Sequence, residues 1–150
     1  MPRTPSFPQQ RGSISLWRYT ESTRNFSGWH LSANDDGAIA LKSILHALQE
    51  SGGTCTLTVT RPSAAVLSVP NNRGGHAAWS APNRWRICYQ ATADEWRFPP
   101  TGEPAVLTLG TTHLGQLVAG LDDILAGQGD YSIGIEGEEL WFWWQIRDSA

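Results

Sequence analysis

Residues 131–146 read YSIGIEGEELWFWWQI, and this stretch decides the fold. Tyr131, Ile133 and Ile135 alternate with Ser132 and Gly134, the period of a half-buried strand. Glu136-Gly137-Glu138-Glu139 reads as a turn, because Gly137 takes a positive φ at no steric cost. The return strand is expected over Leu140–Ile146. A two- or four-residue turn gives the same parity. Leu140, Phe142, Trp144 and Ile146 then share the side of Tyr131, Ile133 and Ile135, and Trp141 and Trp143 share the side of Ser132 and Gly134.

The first face is core. For the second, two readings are open. Trp141 covers the bare backbone at Gly134, or a helix or loop buries both rings, since large aromatics are mostly buried. Alternatively Trp141 and Trp143 form a binding surface, since Trp is enriched at interface hot spots.

Upstream, the chain alternates strands and helices. Strands are expected at Ile14–Thr20, Trp29–Ala33, Thr54–Thr60, Ala65–Val69, Arg84–Ala91 and Ala105–Leu109, with a short extended piece at Trp96–Phe98. One helix follows Asn34-Asp35-Asp36, whose oxygens and charge suit a helix start, and carries Ile39, Leu41, Ile44, Leu45 and Leu48. A second, capped by Thr111 or Thr112, carries Leu114, Leu117, Val118, Leu121, Ile124 and Leu125. Residues 1–13 are Pro-rich and polar and read as a flexible arm before one domain over 14–150.

A shift of 76 positions places Leu31 on Leu107, Leu41 on Leu117, Leu45 on Leu121, Leu48 on Ile124 and Gly53 on Gly129. Leu57 and Val59 fall on Ile133 and Ile135, and residues 65–69 on 141–145. Each half, about 14–69 and 85–146, reads as ββαββ. The expected fold is α+β: two helices packed on an antiparallel or mixed sheet, the halves related by a pseudo-twofold axis.

Composition narrows the function. At 150 residues and 40% hydrophobic content, one domain with a real core is expected. Nothing reads as a membrane span, and the N-terminus lacks a secretory apolar region, so a cytoplasmic location is expected. The two cysteines, Cys55 and Cys88, lie in apolar strands and have no metal-ligand spacing. No metal or other cofactor is implied, and no catalytic group stands out: His30, His46, His76 and His113 form no ligand pair, and no serine sits in a nucleophile elbow.

Charge is more informative. From Phe98 to Ile146 there is no Lys or Arg, against Glu103, Asp122, Asp123, Asp130, Glu136, Glu138 and Glu139. The first expectation is therefore a small protein-binding module. It would present Trp141, Trp143, Asp130, Glu136, Glu138 and Glu139 to a basic protein partner, as an inhibitor or, by analogy of size and charge, an immunity-type protein. The alternative is a homodimeric small-ligand-binding protein or enzyme using the loop Asn71–His76, with Asn72, Arg73, His76 and Trp79 around an anion. Arg and Trp interleave over residues 73–97, but a net charge of −3 weighs against nucleic acid.

Overall fold

The computed structural model describes residues 10–20, 28–68, 78–91, 95–99, 102–129 and 131–143. Along the chain run β1 (Ile14–Tyr19), β2 (Trp29–Ala33), α1 (Asp35–Ser51), β3 (Gly53–Thr58), α2 (Ala64–Ser68) and β4 (Trp79–Ser80). They are followed by β5 (Arg84–Tyr89), β6 (Trp96–Arg97), β7 (Ala105–Leu109), α3 (Thr111–Leu125), β8 (Tyr131–Ile133) and β9 (Leu140–Phe142). The protein is α+β, with two mixed sheets and three helices among the described residues. One sheet has the order β4-β1-β2-β9-β8, the other β3-β5-β7-β6. Strands β2 and β9 run parallel, as do β5 and β7, and the remaining neighbours are antiparallel.

The helices carry the chain between the sheets. Helix α1 leaves β2 in the first sheet and delivers β3 to the second, and α3 leaves β7 in the second and delivers β8 to the first. The two helices touch, and Lys42 of α1 pairs with Asp122 of α3. Leu41, Ile44, Leu45 and Leu48 of α1 and Leu114, Leu117, Leu121 and Ile124 of α3 join strand residues of both sheets in one core. At its heart Phe98 stacks on Trp29 of β2 (centroids 5.1 Å apart) and on Trp85 of β5 (6.1 Å), which ties the two sheets together.

Local chemistry sets the helix ends. The Asn34 carboxamide accepts from Gly37 N at 2.8 Å and from Ser13 N at 3.0 Å, which satisfies a free donor of the first turn. Gly52, at φ 71°, stops α1 by donating to Leu48 O. Helix α3 starts differently from expectation. Its N-cap is Gly110, with no side-chain cap, and the Thr111 hydroxyl instead pairs with Tyr89 Oη at 2.8 Å.

Four further expectations are corrected. Of residues 65–69, read as a strand, 65–68 fall on the short helix α2 and residue 69 lies outside the described residues; the five residues of AAVLS carry no period long enough to separate strand from helix. Ile39, placed in the apolar stripe of α1, is 54% exposed, and the buried stripe uses Ala38 and Ala40 instead. Two sheets replace the single one. Residues 10–13, read as part of a flexible arm, are bonded to the domain: Ser13 O accepts from Asn34 N, and the Gln10 carboxamide bonds Thr58. Residues 1–9 lie outside the described residues.

The internal offset survives only in its centre. Strands β2 and β7 begin at 29 and 105, and helices α1 and α3 at 35 and 111, each 76 apart. The flanks part. Strand β1 is antiparallel to β2 whereas β5 is parallel to β7, and α2 stands where the second unit has β9.

Candidate interaction site

Strands β8 and β9 meet in the expected parity: Tyr131 faces Phe142, Ser132 faces Trp141 and Ile133 faces Leu140. The strand β8 stops at Ile133, two residues short of expectation, and Gly134 is the reason. At φ 105° it leaves the strand path, and a Cβ there would lie 2.5 Å from Cε2 and Nε1 of Trp96. Trp96, not Trp141, covers this bare backbone. Ile135 is therefore released from the core stripe and stands 47% exposed.

The loop 134–139 is held at several points. Trp96 Nε1 donates to Glu138 O at 2.8 Å, and Phe98 N donates to Glu138 Oε1 at 2.7 Å. Within the loop, Glu138 N donates to Ile135 O at 3.0 Å and Gly137 N to Glu139 Oε1 at 2.9 Å. Trp29 N donates to Glu139 O at 2.7 Å. The carboxylate of Glu138 is thus half-buried and engaged by backbone, whereas Glu136 and Ile135 point outward. Asp130 lies outside the described residues.

The second face of the first sheet is closed. Trp17, Val66, Leu67 and Trp143 form a separate apolar cluster, with Tyr19, Trp79, Ala81 and Trp141 packed beside it. Trp143 is 3% exposed, so its role as a surface contact is corrected: α2 covers it. Trp141 is half-buried and stacks on Trp143 at 5.9 Å.

His30 sits fully buried among these rings. It stacks on Trp17 (5.5 Å), meets Tyr19 edge-on (4.8 Å) and accepts at Nδ1 from Trp143 Nε1 at 2.9 Å. A nitrogen that accepts this bond carries no proton. Burial pushes the Tyr19 phenol up, and the neighbouring Trp17 indole works the other way. That pull falls short of a full bond, since Trp17 Nε1, Tyr19 Oη and Ser32 Oγ all lack a hydrogen-bond partner among the described residues.

Elsewhere, Asn72, Arg73 and His76 lie outside the described residues. Trp79 is half-buried in β4, with the Arg61 guanidinium 4.9 Å over its ring. The thiols of Cys55 and Cys88 are free. Cys55 packs toward the core beside Leu57, whereas Cys88 alternates with the buried Ile87 and Tyr89 on the outer side. Opposite faces rule out a bridge between them. Burial pushes the Cys55 thiol up. Among the described residues no three His, Cys, Asp or Glu side chains gather as metal ligands, and no helix is long and apolar enough to cross a membrane.

Sequence reading missed two elements of this site. One is the partnership of Trp96 and Glu138 with the loop, which joins residues 42 apart in sequence. The other is the exposure of Ile135. The glycine at 134 was its only local signal.

Comparison with protein-family models, with curated proteins and with solved structures gave no match to this chain.

Proposed function

We propose that the protein is a protein-binding module that uses the β8–β9 loop, with Ile135 as the apolar anchor and Glu136 and Glu139 beside it for a basic protein partner. The observation that carries this reading is a large aliphatic side chain, 47% exposed, on a loop fixed by hydrogen bonds from Trp96, Phe98 and Trp29. A loop already held in one shape loses little freedom on binding. An exposed apolar residue next to the exposed carboxylate of Glu136 suits a partner with an apolar pocket and a basic rim, since charge steers encounter while the buried anchor supplies affinity. An inhibitor of the immunity type, acting in the reducing cytoplasm, fits the acidic loop and the free thiols.

The test begins with recovery of bound proteins on the tagged chain and continues with the purified pair. Calorimetry should give a dissociation constant weakened about tenfold or more by Ile135→Ser and by Glu136→Lys, with unfolding midpoints unchanged. Equal affinity in both variants removes the loop from the contact. Recovery of the chain alone turns attention to self-association.

A further inference from the structure

The second sheet has an outer face that no element covers among the described residues, and its charge is opposite to that of the loop. Alternation assigns this face. Leu57, Trp85, Ile87, Leu107 and Trp96 point into the core, so Thr54, Thr56 and Thr58 of β3, Arg84, Arg86 and Cys88 of β5, Thr108 of β7 and Arg97 of β6 point out. The three arginines are exposed and form no ion pair among the described residues. Glu103 engages the backbone instead, accepting from Asn83 N at 2.9 Å and Arg84 N at 3.2 Å.

The face ends in an open backbone edge. Strand β3 has β5 on one side and, among the described residues, no strand on the other. Two bonds fix which of its residues point outward. Val59 N donates to Asn83 O at 3.1 Å, so odd-numbered positions face β5. Thr58 N donates to Gln10 Oε1 at 3.0 Å, and Gln10 Nε2 donates back to Thr58 O. The Gln10 carboxamide therefore occupies Thr58 as the peptide group of an added strand would. By the period of two, the N–H and C=O groups of Thr54 and Thr56 also point outward, and they have no backbone partner among the described residues. Beside them Arg86 Nε donates to Thr56 Oγ1 at 3.3 Å, which leans the guanidinium across β3 toward the open edge.

We propose that this edge takes up an extended acidic segment of a partner protein as an added strand, paired to Thr54 and Thr56. Its acidic residue opposite Thr56 would meet the guanidinium group of Arg86. Backbone bonds supply affinity in this mode and alternate side chains supply selectivity. The chain's own residues 1–9 are poor occupants, because Pro2, Pro5 and Pro8 lack N–H groups and Arg3 repeats the charge of the face. Single-stranded nucleic acid is also disfavoured, since the strand residues on this face include no aromatic ring on which a base could stack.

The probes are a short blocked peptide alternating valine and glutamate and its valine–lysine counterpart, followed by amide NMR and hydrogen exchange on the full chain. The glutamate peptide should bind, slow exchange at Thr54 and Thr56, and lose about tenfold or more in affinity in Arg86→Glu. The variant Thr56→Pro should abolish binding yet keep its fold, because the lost N–H points away from β5. Failure of the glutamate peptide to bind, equal binding of the lysine peptide, or protection outside β3 would each overturn the proposal. So would binding that appears only after deletion of residues 1–9, or binding of oligothymidylate but not peptide.

Discussion

Trp96 occupies the space that a side chain at Gly134 would need. A Cβ built on Gly134 falls 2.5 Å from the indole Cε2 and Nε1, while the same indole N–H holds Glu138 O. The contact joins β6 in one sheet to the β8–β9 loop of the other, so the shape of the loop rests on a residue with no side chain. Gly134→Ala combines strain at φ 105° with this overlap. The expected loss is roughly 2–4 kcal/mol in urea unfolding. Any partner of the loop should also bind the variant more weakly under conditions where it remains folded.

Gly120 presents a second close approach, inside a helix. A Cβ there would lie 2.4 Å from Cε1 and Cζ of Phe142, so α3 rests directly on the ring that β9 sends into the core. In an exposed helix Gly→Ala stabilises by about 1 kcal/mol. Here Gly120→Ala should destabilise, by about 1–3 kcal/mol from overpacking. Phe142→Leu makes room, so the double variant should be more stable than the sum of the two single changes predicts. Additive losses in the cycle would show that the two sites do not share this space.

These two glycines show where sequence reading succeeds and where it stops. Helices α1 and α3 were legible because Leu41, Leu45 and Leu48, and Leu114, Leu117 and Leu121, repeat within the helix itself. The parity of β8 and β9 was legible for the same reason. What lay hidden were contacts between distant segments: Trp96 on Gly134, β9 beside β2, and α2 over Trp143. The 76-residue offset recurs in the starts of β2 and β7 and of α1 and α3. It carried no information on strand neighbours, and these place β5 parallel to β7 but β1 antiparallel to β2. Of the candidate binding residues, Glu136 is exposed, Glu138 is engaged by Phe98, and Trp143 is enclosed.

Trp143 and Ile135 should therefore behave as opposites under substitution. Trp143 is 3% exposed and donates to His30 Nδ1. Trp143→Ala should cost roughly 3–5 kcal/mol. Trp143→Phe keeps a ring but leaves Nδ1 without that donor, for a loss of about 1–3 kcal/mol. Ile135→Ser removes a side chain already half in water and should shift stability by less than about 0.5 kcal/mol. Urea unfolding of the three variants checks the order. A Trp143→Ala protein as stable as the parent would mean that α2 does not seal this face.

Tyr131 donates to Asp123 Oδ2 at 2.6 Å, and this bond gives stability a dependence on alkaline pH. Burial pushes the Tyr131 phenol well above the ordinary range, and the hydrogen bond to Asp123 and the charge of that carboxylate both add to the rise. Below about pH 10, the unfolded phenol value, both states keep the proton and the contribution is complete. As pH rises past that point the unfolded chain ionises first. It then binds fewer protons than the native state, so stability falls with pH until the native phenol ionises too. The slope of unfolding free energy against pH above about 10 should be reduced in Tyr131→Phe, which has no proton to lose. At neutral pH the same change should cost about 1 kcal/mol through the lost bond. In the parent, phenolate absorbance of Tyr131 should appear only well beyond the ordinary range or together with unfolding. A Tyr131 signal that titrates like a free phenol, in a folded chain, would mean that the bond to Asp123 is not formed in solution.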